Sequence, residues 1–95
     1  MYKVVIETEA KYELQDAARW YQERSAGLGE KFMDAFLNVL DYLETHPAAF
    51  AKLQEEYHQV TMKRFPYVVI YKITDKDVRI ISVFHTSRNP KNKFK

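Results

Sequence analysis

The hydrophobic periodicity of the chain changes once along its length, and this change limits the possible folds more than any other feature. Before Pro47, apolar residues recur every three or four positions, whereas after Tyr57 they alternate with polar residues. A period near 3.6 is that of one helical face, and a period of two is that of a half-buried strand. The chain is therefore predicted to form a helical layer followed by a sheet.

The helical part of the pattern predicts two helices. It divides at residues 25–29, a segment that holds both glycines of the chain. The second helix is predicted to open at Glu30 and to end at His46, because a proline disfavours the helical conformation in the residue before it. The two apolar stripes are Ala10, Leu14, Ala17, Ala18 and Tyr21, and then Phe32, Met33, Phe36, Leu40 and Leu43. Two amphipathic helices joined by a short loop predict an antiparallel helical hairpin.

Four strands are predicted around this hairpin, at residues 1–7, 58–64, 67–73 and 78–84. Pro66 separates the second strand from the third, because proline lacks the N–H that a strand ladder needs. In the second strand, Met62 and Arg64 are predicted to share one face. The order β-α-α-β-β-β over residues 1–95 predicts a single α+β domain, in which the helical hairpin packs on a small antiparallel sheet.

Composition excludes several classes of function. The chain has no Cys, which excludes disulfides, Cys-ligated metals and thiol catalysis, and two glycines cannot build a phosphate-binding loop. His46, His58 and His85 stand alone in the sequence, so neither a metal nor another cofactor is predicted. The longest apolar run, Tyr67–Tyr71, is far shorter than the roughly 20 residues that span a bilayer. We therefore expect a cytoplasmic protein without a membrane partner.

The net charge of +2 hides an asymmetry between the two parts of the chain. Residues 1–56 carry 6 Lys and Arg against 11 Asp and Glu, a net charge of −5. Residues 57–95 carry 9 Lys and Arg against 2 Asp, a net charge of +7. Such a division indicates a face that meets a polyanion or an acidic partner. The alternative is a basic sheet beside an acidic helical layer, both simply solvated.

The basic half supplies the candidates for chemistry and for target binding. Histidine is the residue type that exchanges protons near neutral pH, so His85 is the candidate acid or base if the chain is a nuclease, with Arg64 and Arg88 engaging the phosphate. The alternative is a solvated basic tail with His85 hydrogen-bonded at a strand end. The candidates for binding a nucleic acid or another target are Lys63, Arg64, Arg79, Arg88, Lys91, Lys93 and Phe94.

A few large apolar residues are candidates for binding a partner. A helical hairpin on a small sheet often leaves a groove that can receive an amphipathic helix. Trp20, Tyr21, Leu28 and Phe50 are the candidate contacts for such a partner, and packing within the core is the alternative for each.

Several segments, in this order, resemble the RelE/ParE toxin superfamily, the toxin halves of bacterial type II toxin–antitoxin systems, which are also called plasmid stabilisation proteins. The resemblance covers nearly the whole chain. Its segments are 13–17 leading to Trp20 and Tyr21, 27–29 with Phe32, 46–47 with Phe50, Lys63-Arg64-Phe65-Pro66-Tyr67, and His85-Thr86-Ser87-Arg88-Asn89-Pro90. The segment from Lys63 to Tyr67 is the strongest of them.

The resemblance implies a toxin that forms a hetero-oligomer with a cognate antitoxin, whose C-terminal segment wraps around it. It also implies one of two targets. ParE-like members poison DNA gyrase and are not known as nucleases, whereas RelE-like members are mRNA interferases that cleave mRNA in the ribosome. A degenerate, non-toxic module that still binds its antitoxin is a third possibility.

Two positions depart from the RelE-like pattern. The strand arginine of that pattern falls on Val68, and its C-terminal tyrosine falls on Phe94, while its later arginine matches Arg88. Valine cannot bind phosphate, and phenylalanine can stack on a base but cannot relay a proton. The resemblance therefore favours gyrase inhibition without enzymatic activity over an endoribonuclease.

Overall fold

Two helices and five strands make up the part of the chain that the computed structural model describes, residues 2–54 and 56–87. The elements are β1 (Lys3–Ile6), α1 (Thr8–Arg24), α2 (Leu28–Thr45), a 3-10 turn (Pro47–Ala49), β2 (Lys52–Gln54), β3 (Tyr57–Thr61), β4 (Tyr67–Ile73) and β5 (Asp77–His85). The α+β class with a helical hairpin on a sheet is confirmed. None of the helices in these ranges has the length and apolar character needed to cross a membrane.

The five strands form one sheet in the order β1-β5-β4-β3-β2. Neighbouring strands are antiparallel except β1, which runs parallel to β5. The sheet is therefore mixed, whereas the sequence predicted a wholly antiparallel one. The helical hairpin carries the chain from β1 to the opposite edge of the sheet, and the strands that follow lead back until β5 lies beside β1. The short β2 was not predicted, since its 3 residues are too few to show a period.

The turn between the helices is tighter than the predicted loop, because α2 begins two residues before Glu30. The side chain of Gln22 explains this early start. Its Oε1 accepts hydrogen bonds from the backbone N–H groups of Gly27, at 3.1 Å, and Gly29, at 3.0 Å, which would otherwise lack partners at a helix N-terminus. A Cβ at Gly29 would lie 2.7 Å from the carbonyl oxygen of Ala18, so glycine permits the close approach of the two helices.

The main core lies between the helices and one face of the sheet. Its fully or nearly fully buried side chains are Ala10, Leu14, Ala17, Phe32, Phe36, Leu43, Val60, Met62, Phe65, Val69, Tyr71, Val78, Ile80 and Val83. Tyr71 donates a hydrogen bond to the carbonyl oxygen of Pro47 at 2.5 Å and stacks on His58, whose Nδ1 lies 3.0 Å from the carbonyl oxygen of Phe50. Burial raises the pKa of Tyr71 to about 12.

A second apolar cluster lies on the other face of the sheet. Successive strand residues point to opposite faces, so Val68 and Ile70 face away from the core that holds Val69 and Tyr71. Val68, Ile70 and Phe84 form this cluster, and Tyr57 and Ile81 pack against it.

A β-bulge interrupts β5 where its pairing with β1 ends. Ile70 pairs with Ser82 and Tyr71 with Ile80, which leaves one extra residue in β5. The parallel pairing with β1 also stops at Ile80. Beyond it, Oε1 of Glu13 in α1 accepts hydrogen bonds from the Ser82 hydroxyl and the Val83 N–H, both at 2.9 Å. A carboxylate of α1 thus bonds to β5 just beyond the last residue that β1 pairs.

Candidate functional site

Tyr21 separates two clefts at the end of the sheet that carries the β3–β4 connection. Its ring lies 4.9 Å from that of Phe65 and 5.4 Å from that of Phe32, between centroids, and Trp20 meets it edge-on at 5.0 Å. Burial, and secondarily the neighbouring Tyr67, raises the pKa of Tyr21. Tyr21 lines both clefts, so the same side chain bounds two surfaces of different character.

The first cleft lies between α1 and the end of β5 and has a volume of about 460 Å³. We call it the acidic cleft because the charged side chains among its described lining residues are the carboxylates of Glu13 and Asp16. Trp20, 47% exposed, forms part of its wall, and the Arg24 guanidinium stacks 3.8 Å from the centre of that indole. The carboxylates therefore give this cleft a negative charge.

His85 lies in the acidic cleft, at the end of β5. Its Nδ1 accepts a hydrogen bond from the Ser87 N–H at 3.1 Å and lies 2.9 Å from the Ser87 hydroxyl. A nitrogen that accepts from a backbone N–H carries no proton, so this geometry assigns the ring proton to Nε2. The predicted grouping of His85 with Arg64 is not seen, because the two side chains line different clefts, and Arg88 lies outside the described residues.

The second cleft lies between α2 and the β3–β4 connection and has a volume of about 720 Å³. We call it the basic groove, since Lys31, Lys63 and Arg64 line it together with a single carboxylate, Asp34. Its apolar lining residues are Tyr21, Leu28, Ala35, Phe65 and Pro66.

The basic groove is adjoined by a smaller pocket of about 360 Å³, which we call the aromatic pocket. Tyr42 and Phe50 line it, with ring centroids 5.3 Å apart. The two cavities have Ala35, Asn38 and Lys63 in common, so together they form one depression along the side of α2.

Arg64 does not lie in a strand, and the prediction that it shares a strand face with Met62 is wrong. β3 ends at Thr61, and the connection is closed by a hydrogen bond of 2.9 Å from the Met62 N–H to the Tyr67 carbonyl. In this tight connection Arg64 adopts φ 70, the one positive φ of a non-glycine residue in the described chain. A left-handed conformation costs a side-chain-bearing residue about 1 kcal/mol.

The other predicted target-binding residues have different surroundings. Arg79 is bound to Glu7 at 3.2 Å and to Asp77 at 3.4 Å, so two carboxylates already neutralise it. Lys63 and Arg64 are exposed. Lys91, Lys93 and Phe94 lie outside the described residues, as Arg88 does.

The four residues predicted to contact a partner are distributed over all three cavities. Trp20 lines the acidic cleft, Tyr21 and Leu28 line the basic groove, and Phe50 lines the aromatic pocket. Tyr21, Leu28 and Phe50 thus lie along one continuous depression, and whether a partner binds there remains a prediction.

Sequence reasoning missed the contribution of α2 to this depression. Lys31, Ala35, Asn38 and Tyr42 all line it, and their spacing of i, i+4, i+7 and i+11 places them on one face of a helix. The spacing could have revealed this face, but two polar members concealed it among apolar stripes. In residues 2–54 and 56–87, no three His, Cys, Asp or Glu side chains come together as a metal site.

The chain matches a known family over most of its length. Residues 4–90 match the family described as the ParE toxin of the type II toxin–antitoxin system parDE. The protein Toxin ParE2 of Mycobacterium tuberculosis is 28% identical over 79 residues, which are 82% of this chain and 75% of that protein.

Solved structures of toxin–antitoxin proteins have the same fold. In the chromosomal ParDE toxin–antitoxin system from P. aeruginosa, one chain matches with a TM-score of 0.71 at 14% identity, over 90% of this chain and 96% of that one. The isolated E. coli RelE toxin matches with a TM-score of 0.62 at 15% identity, over 99% of this chain and 94% of that one. At these identities the likeness concerns the fold alone.

Proposed function

Since the chain belongs to the ParE toxins of type II toxin–antitoxin systems, we propose that it acts by inhibiting DNA gyrase and that a cognate antitoxin neutralises it. In this proposal the chain is a binding protein rather than an enzyme. Its matched relative carries the name Toxin ParE2, which agrees with a toxin of the same kind.

The observation that carries the proposal is the surroundings of Val68, where the resemblance to RelE-like nucleases calls for an arginine. Val68 is 8% exposed and packs with Ile70 and Phe84 in the apolar cluster on the sheet face away from the helices. A phosphodiester in a transition state needs cations or N–H donors directed at its oxygens. An apolar cluster at this position supplies neither, which argues against RNA cleavage on this face.

The positions of the remaining catalytic candidates support the same conclusion. His85 lies among carboxylates, and Arg64 lies in the other cleft. A general acid or base must lie within hydrogen-bonding reach of the group whose proton it moves. A cation must at the same time stabilise the negative charge of the same phosphate. In the described structure these two side chains line different clefts, with the ring of Tyr21 between them.

The alternative is a ribosome-dependent mRNA endonuclease. The cations of the basic groove favour it, because Lys and Arg are the residues that bind phosphates. The two functions differ in what they damage: a gyrase poison leaves broken DNA, and a nuclease leaves broken mRNA and arrested translation.

The test is induction of the chain in bacteria that carry one reporter for the DNA-damage response and one for protein synthesis. The proposal predicts an early DNA-damage response with translation initially intact, and abolition of the response when the antitoxin from the same operon is co-induced. An Arg88→Ala variant provides the matched comparison, since a nuclease using that arginine would lose its mRNA cleavage. Immediate translation arrest with cleaved mRNA, absent in Arg88→Ala, would refute the proposal, and no growth arrest at all would indicate a non-toxic module.

A further inference from the structure

The aromatic pocket has an aromatic end and a polar end. Tyr42 and Phe50 line this pocket but not the basic groove, so they mark the end that lies away from the groove. Asn38 and Lys63 line both cavities, so the pocket meets the groove at these two side chains. One helical turn of α2, about 6 Å, separates Asn38 from Tyr42. A molecule that fills the pocket therefore meets aromatic rings at one end and a cation with an amide at the other.

Buried side chains hold the aromatic end in place. The Tyr71 hydroxyl donates a hydrogen bond to the carbonyl oxygen of Pro47, which fixes the 3-10 turn that precedes Phe50. His58 Nδ1 lies 3.0 Å from the carbonyl oxygen of Phe50 itself. The rings of His58 and Tyr71 are both buried and stack on each other. A pocket whose wall is anchored in this way loses less conformational entropy when a ligand binds.

The polar end holds a backbone N–H that has no partner in the described chain. The Met62 N–H bonds to the Tyr67 carbonyl in β4, and the Gln59 N–H bonds to the Ala51 carbonyl on the other side of β3. Backbone groups alternate in direction along a strand, so the Thr61 N–H points away from β4, as that of Gln59 does. β2 is too short to reach Thr61, and within residues 2–54 and 56–87 no hydrogen bond uses this N–H. Thr61 lines the aromatic pocket, which leaves a donor free there.

Lys63 supplies a positive charge two residues further along the chain. It is exposed and forms no ion pair within the described ranges, whereas Lys72 lies 3.9 Å from Glu56. The described lining of the aromatic pocket includes no carboxylate, and Asp34 lines only the neighbouring groove. An ammonium, a side-chain amide and a backbone N–H are donors that suit the two oxygens of a carboxylate.

The size and the lining of the pocket limit its ligand to a small molecule. Its volume of about 360 Å³ is near the lower end of the roughly 300–1,000 Å³ that small-molecule sites have. A single ring with a short side chain fits this volume, whereas a folded peptide segment is too large. The lining residues between the two ends are apolar, namely Ala35, Val39 and Val60.

We propose that the aromatic pocket binds a small aromatic monocarboxylate, whose ring lies against Tyr42 and Phe50. Its carboxylate accepts hydrogen bonds from the Lys63 ammonium, the Asn38 amide and the Thr61 N–H. The inference goes beyond the proposed function, because neither gyrase inhibition nor neutralisation by an antitoxin requires a small ligand.

The test is an NMR titration of the chain with hydrocinnamate, a phenyl ring joined by two carbons to a carboxylate. We expect saturable shifts of the Asn38, Thr61 and Lys63 amide signals, with a dissociation constant below about 1 mM. Hydrocinnamide, which is neutral, and acetate, which lacks the ring, should each bind at least about tenfold more weakly. The indole N–H of Trp20, in the acidic cleft, should not shift. The absence of saturable shifts, or equal affinities for the acid and its amide, would overturn the inference.

Two variants test the two ends of the pocket separately. Lys63→Gln should weaken the binding of hydrocinnamate about tenfold and abolish the preference for the acid over the amide. Tyr42→Ala, at a side chain that is 48% exposed, should weaken the binding of both compounds with an unchanged circular dichroism spectrum. Lys76→Gln removes an exposed lysine outside the pocket and should bind within about twofold of the wild type.

The outcomes also separate this inference from the proposed function. Equal weakening by Lys63→Gln and Lys76→Gln would show general attraction to a basic chain and would overturn the inference. A wild-type chain that leaves gyrase unaffected would refute the proposed function, and the titration would still decide whether the pocket binds an aromatic carboxylate.

Discussion

The acidic cleft and the basic groove share Tyr21 as a lining residue, yet they differ in whether their charged side chains take part in holding the fold together. In the acidic cleft, Glu13 is bonded to the Ser82 hydroxyl and the Val83 backbone, so its charge stabilises the bulged strand. In the basic groove, Lys63 and Arg64 are exposed and form no ion pair within the described ranges, and Arg64 holds a strained backbone. Substitution of Glu13 should therefore reduce stability, whereas substitutions of Lys63 and Arg64 should mainly reduce binding to a partner or target.

The largest effect should come from the shared wall. Tyr21→Ala removes a ring that contacts Phe32 and Phe65 at centroid distances of 5.4 and 4.9 Å. We expect the free energy of unfolding to fall by about 3 kcal/mol, as for other truncations of packed aromatic residues. Tyr21→Phe keeps the ring and should cost less than about 1 kcal/mol in the same urea titration. A loss below about 1 kcal/mol for the alanine variant would mean that the Tyr21 ring contributes little to the packing around Phe32 and Phe65.

The next effect concerns Tyr71, which is fully buried in the main core. Burial raises its pKa to about 12 from the ordinary 10.0, so the folded state retains the proton where the unfolded chain has lost it. The associated stability is complete below pH 10 and is lost as the pH rises through about 12, by roughly 2 kcal/mol in all. Denaturation at several pH values should show this decline, and Tyr71→Phe should lack most of it. An equal decline in both proteins would assign it to other groups.

Within the acidic cleft, the two carboxylates should behave differently. Glu13→Ala leaves the Val83 N–H without its carboxylate acceptor, and we expect a loss of about 1.5 kcal/mol. Asp16 forms a long, exposed ion pair with Arg19 at 3.9 Å, so Asp16→Ala should change stability by less than about 0.5 kcal/mol. Chemical denaturation of the two variants provides the comparison, and equal losses would contradict a structural role specific to Glu13.

The smallest effect should be an increase in the free energy of unfolding rather than a decrease. Arg64→Gly relieves the left-handed strain and should raise the free energy of unfolding by about 0.5–1 kcal/mol. Lys63→Gly, at a neighbouring residue without a positive φ, should instead lower it by a similar amount. Thermal melting of the pair measures both changes. Destabilisation by both glycines would mean that Arg64 contributes to folding after all.

The helices and the central strands were predictable because their side chains repeat with the period of the structure. Phe32, Phe36 and Leu43 occupy the core as their spacing indicated. The parallel placement of β1 was not predictable, since it depends on where the helical hairpin returns the chain to the sheet. The early start of α2 was equally hidden, because it depends on the side-chain oxygen of Gln22 in α1, which accepts a hydrogen bond from the Gly29 N–H.

The sequence indicated which residues belong to the candidate site better than it indicated how they are arranged in space. Tyr21, Leu28 and Phe50 lie along one depression together with Lys63 and Arg64, although they are far apart in sequence. The predicted grouping of His85 with Arg64 is not seen, although both residues belong to the basic half of the sequence. The ring of Tyr21 lies between the clefts that the two side chains line. The left-handed backbone of Arg64 has no signal in the sequence, since arginine has no preference for that conformation.

The measurement closest to the central claim is a supercoiling assay with purified gyrase, relaxed plasmid DNA and the purified chain. The account predicts that the chain inhibits supercoiling and accumulates cleaved DNA, and that stoichiometric antitoxin reverses both effects. Unaffected gyrase, together with codon-positioned cleavage of mRNA on translating ribosomes by the same preparation, would contradict the account.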